Sequence, residues 1–160
     1  MNAELLIRPE RPDQPDVLAL LAALDAYLAS LYAPEDNHIL GVAQLLADDV
    51  VFLVARRAGV AVGCAAVRCM PAEAGTADQA YGEIKRMFVA PAQRGQRIAE
   101  QLLAPLEAAL RARGIGQALL ETGRDQAEAL RLYRRCGYVQ RPAFGGYPDN
   151  GLSIFMAKTL

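Results

Sequence analysis

Between residues 81 and 122 the chain changes its hydrophobic period twice. Tyr81–Val89 reads as a strand and is closed by Pro91. Residues 95–113 then carry Leu102, Leu103, Leu106, Ala109 and Leu110 at the spacing of one helix face. Gln117–Thr122 is a short apolar run of the buried-strand type. A strand, a helix and a second apolar strand pack together as a crossover, which is right-handed almost without exception. This predicts that 117–122 lies parallel to 81–89. It also puts residues 94–99 beyond the carboxyl end of a strand, where open α/β sheets bind ligands.

The flanking segments complete one architecture. Ala3–Arg8 is a short strand stopped by Pro9 and Pro12. Val17, Leu20, Leu21, Leu24, Leu28 and Leu31 form a helical stripe, with Asp13 or Asp16 as the expected cap and Pro15 in the first turn. After a polar break at 32–38 comes a short helix over Val42–Ala47. Val50–Arg56, the turn Arg57-Ala58-Gly59 and Val60–Cys69 read as a hairpin, and 71–79 as a loop. Pro105 inside the long helix predicts a bend there, or a helix that tolerates it. Gly114 and Gly116 end that helix. Gln126–Cys136 is another helix, ended by Gly137, followed by a strand from Tyr138 to Gln140, a loop at 142–151 and a last strand Leu152–Lys158. The order β-α-α-β-β-β-α-β-α-β-β predicts an α/β domain in three layers around a mixed sheet.

At 160 residues the chain reads as one domain, residues 1–160, able to bury about 70% of its unfolded surface. The net charge of −1 offers no global field for nucleic acid or a membrane surface. Cys64, Cys69 and Cys136 show no C-x-x-C spacing and read as reduced, buried thiols in a cytoplasmic protein. With His38 as the one histidine, no metal site is expected. The N-terminus has no charged signal region, and the longest apolar run, Val17–Leu24, is too short to span a bilayer. The apolar first helix and last strands leave a homodimer open.

One stretch invites chemistry. Residues 92–103 read A-Q-R-G-Q-R-I-A-E-Q-L-L and open the long helix. A helix N-terminus presents unpaired N–H groups and partial positive charge, and arginines add to it. The G-x-x-x-x-G-K-[ST] phosphate loop is absent, and Gly95 is the only glycine here, so no dinucleotide fingerprint is present.

Taken with its setting, this stretch resembles the GNAT superfamily of acetyl-CoA-dependent N-acetyltransferases. The residues are Val89, Pro91, Arg94-Gly-Gln-Arg-Ile-Ala99 and Ala129-Leu-Arg-Leu-Tyr133-Arg-Arg-Cys-Gly-Tyr138, with a helix and a strand between the two motifs. The likeness extends over essentially the whole chain. G-E-I-K-R-M-F-V (82–89), L-E-T-G (120–123), F-G-G-Y (144–147) and S-I-F-M-A-K (153–158) look like a bacterial subgroup described as acetyltransferases, some of an indole-acetic-acid type.

The resemblance implies a role for each part. Arg94, Gly95, Gln96, Arg97, Ile98 and Ala99 would form the pyrophosphate cradle. Arg97 departs from the family, which usually has glycine there. It can still be right-handed at a helix start, its guanidinium either touching phosphate or filling part of the cradle. Met87, Phe88 and Val89 match the strand that splays from its neighbour and pairs with the pantetheine arm, a backbone N–H near Val89 polarising the acetyl carbonyl. They also read as plain core residues. Gln126 stands where an asparagine often contacts that arm. Tyr133 falls where a phenol faces the departing sulfur, although a core tyrosine is the bland alternative.

The acceptor side is less determined. Glu83 is a candidate general base for an attacking amine, or a strand carboxylate paired with Lys85. Glu121 and Thr122 end the parallel strand. Tyr32, His38, Phe144 and Tyr147 come from loops that border the acceptor in this fold. The expected activity is acetyl transfer from acetyl-CoA to a small-molecule or peptide amine, by direct attack in a ternary complex. The rivals are a non-catalytic acyl-CoA-sensing module and a nucleotide site at the same helix start.

Overall fold

A computed structural model describes residues 3–160. The elements are β1 (Leu5–Pro9), α1 (Pro15–Leu31), α2 (Val42–Leu45), β2 (Val50–Arg57), β3 (Val60–Met70), β4 (Tyr81–Val89), α3 (Ile98–Ala112), β5 (Gln117–Gly123), α4 (Ala127–Arg135), β6 (Val139–Arg141) and β7 (Ser153–Thr159). Short 3-10 turns at Pro34–Asp36 and Pro91–Gln93 add to this order. Among the described residues the seven strands form one sheet in the order β1-β2-β3-β4-β5-β7-β6. The mixed α/β class and the element order match the sequence reading. β4 and β5 run parallel, with Gly82 opposite Ala118 and Glu83 opposite Leu119. β7 runs antiparallel to β5 from Gln117↔Thr159 to Gly123↔Ser153 and carries β6 on its other side. Among the described residues no helix is long and apolar enough to cross a membrane.

The chain divides into two compact units. The first runs to Val67 and takes in Lys85–Leu106; the second comprises Arg68–Ile84 and Glu107–Leu160. In the first, Val17, Leu20, Leu21 and Leu24 of α1 pack with Phe52, Val54, Cys64, Ala66 and Phe88 of the strands. Gly63 faces the other way, where an added Cβ would lie 3.4 Å from Ile98 and 3.5 Å from Leu102 of α3. Adjacent strand residues point to opposite faces, so helices cover both. In the second unit Gly82 lies under Leu110, whose methyl carbons would be 2.3 and 2.4 Å from an added Cβ. Tyr81, Leu119, Phe144 and Phe155 cluster on the opposite face.

Three local expectations are corrected. Gln14, not Asp13 or Asp16, stands at the N-cap position of α1, and its side chain makes no capping hydrogen bond. Asp13 is engaged by Arg11, and Asp16 accepts from its neighbour's N–H, that of Val17. The long helix begins at Ile98 rather than Gly95, because Gly95 (φ 83°) and Arg97 (φ 60°) are both left-handed. Arg97 is therefore not right-handed, as its place at a helix start suggested. Pro105 sits inside α3, which runs on through it.

Candidate active site

In the first unit β4 delivers its last residues to the loop that opens α3. Arg86 adopts φ 56° in mid-strand, the mark of a bulge. Its buried guanidinium holds Asp25 at 2.5 Å, and its carbonyl accepts from the Cys64 thiol at 3.4 Å. Burial pushes the Cys64 thiol up to about 12, which leaves it protonated and inert. Beyond the bulge Phe88 is buried, while Met87 and Val89 are half-buried.

The loop itself is exposed from Arg94 to Arg97 and dives into the core at Ile98. Arg94 folds back, its Nε donating to the Val89 carbonyl at 3.0 Å and its guanidinium lying 5.6 Å from the Phe88 ring centre. The Gln101 side-chain amide donates to the carbonyls of Gln96 (3.5 Å) and Arg97 (3.2 Å). The Gln101 backbone N–H takes the Arg97 carbonyl at 3.2 Å, which makes Arg97 the residue from which α3 departs. The N–H groups of Ile98 and Ala99, in the first turn, then have no acceptor within the helix. Around Gly95 an added Cβ would meet open space. The Arg97 side chain is 77% exposed, with Glu100 3.9 Å away. Helix-end donors, an open glycine and a solvent-facing arginine suit a pyrophosphate. Ala99, half-buried, backs the first turn. Tyr32 and His38, also half-buried, follow α1; the His38 carbonyl accepts from Lys85 Nζ at 3.4 Å.

In the second unit the face that carries the aromatic cluster holds the acidic candidates. Glu83 is 5% exposed, and Oε2 accepts a hydrogen bond from the Tyr147 hydroxyl. Tyr147 stacks edge-on with Phe144, ring centres 5.5 Å apart, and Phe144 does the same with Tyr81 at 5.5 Å. Burial, then the charge of Glu83 and its hydrogen bond, raise the Tyr147 phenol well above the usual tyrosine value, with smaller contributions from Glu121 and Tyr81. Glu121 accepts from Ser153 Oγ at 2.6 Å. It shares its strand face with Leu119, whereas its neighbour Thr122, buried, turns to the other. Glu83, Glu121, Phe144 and Tyr147 thus come together, and Thr122 does not join them.

Tyr133 is buried in α4, edge-on to Tyr138 at 5.6 Å between ring centres. Burial raises its phenol, so that it stays protonated. Tyr138 is anchored in turn by Glu107 of α3, at 2.8 Å, and Glu107 takes Lys158 at 2.9 Å. Gln126 is the N-cap of α4, its carbonyl accepting from Leu130 N–H at 3.1 Å. The sequence reading missed Glu107, although a carboxylate between Leu103 and Leu110 on an apolar face already signals a buried partner. It also missed the left-handed Arg86 and the role of Tyr81, for which no local signal exists.

Residues 4–138 match the model of the acetyltransferase (GNAT) family. An IAA acetyltransferase from Azospirillum brasilense is 46% identical over 154 residues, 96% of this chain and 97% of that protein. An acyl-CoA N-acyltransferase structure from Klebsiella pneumoniae superposes with a TM-score of 0.81 at 39% identity, over 99% of both chains. The PaiA N-acetyltransferase of Thermoplasma acidophilum, solved with coenzyme A, shares the fold with a TM-score of 0.75 at 17% identity, over 98% of this chain and 99% of that one.

Proposed function

The chain belongs to the GNAT acetyltransferase family and is an N-acetyltransferase; from that premise we propose that it moves an acetyl group from acetyl-CoA to an amine by direct attack in a ternary complex. The observation that carries this reading is the loop of residues 94–99, left-handed at Gly95 and Arg97, which opens α3 directly after β4.

Acetyl-CoA supplies the activated acyl group. The donors at the head of α3 bind its pyrophosphate, Met87, Phe88 and Val89 offer backbone to its pantetheine arm, and Gln126 adds an amide contact. Tyr133, kept protonated by burial, donates a hydrogen bond or its proton to the departing thiolate. Glu83 takes the proton that the attacking ammonium must lose, an alkyl ammonium having a pKa near ~10.4. The acceptor is a small-molecule or peptide amine. Glu121, Phe144 and Tyr147, grouped with Glu83, are the residues assigned to it. We read residues 1–160 as one cytoplasmic domain, a reading in keeping with a single family match over residues 4–138.

Thiol release from acetyl-CoA over a panel of amino acids, polyamines, aminoglycosides and peptide N-termini tests the activity. Intersecting initial-velocity lines are the expected result for direct attack. Parallel lines would point to an acetylated enzyme and overturn the ternary complex. Binding of acetyl-CoA without turnover of any amine would favour the sensing module.

A further inference from the structure

The loop that opens α3 is held in a conformation it would not choose alone. Two of its residues are left-handed, and one of them, Arg97, is not glycine. A left-handed residue with a Cβ costs about 1–2 kcal/mol and persists only where its surroundings over-determine it. Two of the holds are local: Arg94 on the Val89 carbonyl, and Gln101 on the carbonyls of Gln96 and Arg97.

A third comes from a distant part of the chain. Arg57, the last residue of β2, donates from Nη1 to Gln93 Oε1 at 3.0 Å and to Gln96 Oε1. Its Nε donates to the Ala3 carbonyl at 3.1 Å, which fixes the near side of the guanidinium. One cation therefore ties the 3-10 turn at Pro91–Gln93 to the loop tip, on either side of Gly95. The planar fork of arginine holds several acceptors in one plane, which a lysine ammonium does not. The strap is built in by the hairpin. Ala58 (φ 51°) and Gly59 (φ 78°) form the left-handed two-residue turn that follows Arg57.

We propose that Arg57 is a positioning residue for the acetyl-CoA loop: through the side chains of Gln93 and Gln96 it sets the loop conformation in which the donors of residues 95–99 converge on the pyrophosphate. This rests on the loop being the pyrophosphate site. Arg57 lies outside the motif that marks the loop. Its effect is on affinity for the co-substrate, not on the acetyl-transfer step.

The test is calorimetry with coenzyme A on the full chain, in the wild type and in Arg57→Ala, Arg57→Lys, Gln96→Ala and the double variant Arg57→Ala/Gln96→Ala. The expected result is a five- to tenfold loss of affinity for Arg57→Ala, on the order expected for one ordinary hydrogen bond. Arg57→Lys recovers part of it. The double variant is no weaker than the weaker single, because both remove one strap. In Arg57→Ala the rate at saturating acetyl-CoA stays within about twofold of the wild type, while KM for acetyl-CoA rises. Unchanged affinity in Arg57→Ala, or losses that multiply in the double variant, overturn the proposal. Amide hydrogen exchange of the unliganded protein separates it from the reading it rests on. Faster exchange across residues 94–99 in Arg57→Ala, with β4 unchanged, supports the strap even if the wild type fails to bind coenzyme A. Exchange in the loop equal to wild type overturns the strap.

Discussion

The Tyr147 hydroxyl donates a hydrogen bond to the Glu83 carboxylate, 64 residues earlier in the chain, within a cluster of Tyr81, Phe144 and Phe155. The two groups answer to each other. Glu83 is held by a phenol that cannot readily ionise, and Tyr147 is kept neutral by burial and by the carboxylate beside it. Glu121 and Tyr81 also bear on Tyr147, while Glu73 and Arg68 bear on Tyr81.

The Tyr147 phenol should therefore titrate earlier when Glu83 loses its charge. In Glu83→Gln the charge that opposes phenolate formation is gone, so the titration moves down. It still stays above the ordinary tyrosine value, since burial is the larger cause. Phenolate absorbance measured against Tyr147→Phe as the blank reads this directly. If Glu83 is the base, the same variant lowers kcat/KM by about a hundredfold. Tyr147→Phe, which keeps the carboxylate, lowers it far less.

Tyr133→Phe removes the proton donor assigned to the sulfur. We expect kcat to fall by about 10- to 100-fold, with affinity for acetyl-CoA within about twofold of wild type. Because burial keeps the phenol protonated, the loss should be flat across about pH 6–9, well below the usual tyrosine value. Turnover equal to wild type would remove Tyr133 from the mechanism.

Arg97→Gly relieves a left-handed residue that carries a Cβ. It should stabilise the protein by about 1 kcal/mol, or raise Tm by about 2–4 °C. The exposed contact with Glu100 that it removes contributes little. Coenzyme A binding is retained or tightened if the backbone carries the phosphate contact. Weaker binding with a flatter salt dependence would assign that contact to the guanidinium instead.

Gly82→Ala places a methyl within 2.4 Å of the Leu110 side chain, where β4 passes under α3. Such overpacking typically costs about 1–3 kcal/mol. Denaturant unfolding should show that loss, and Leu110→Ala in the same chain should return part of it. An unchanged midpoint would mean that Leu110 moves aside freely.

The elements were legible because their signals are local. The stripe from Val17 to Leu24, the run Tyr81–Val89 and the turn at Arg57-Ala-Gly59 each declare themselves within a few residues. So does the crossover, whose handedness leaves one arrangement for β5 beside β4. The helix start at residue 95 failed for a physical reason. Arginine is a good helix former, and nothing local says that Arg97 will be left-handed. The expected caps Asp13 and Asp16 failed likewise, since each found another partner.

The sequence by itself determined the periodicities, the order of strands and helices, and the motif at 94–99 with its family. Tertiary structure alone decided the rest: which side chain holds Glu83, that Glu121 and not Thr122 faces it, that Glu107 anchors Tyr138, and that Arg57 reaches Gln96. Periodicity is written into neighbouring residues by backbone geometry. A hydrogen bond between residues many positions apart depends on how strands register and where side chains can point, and no local pattern records that.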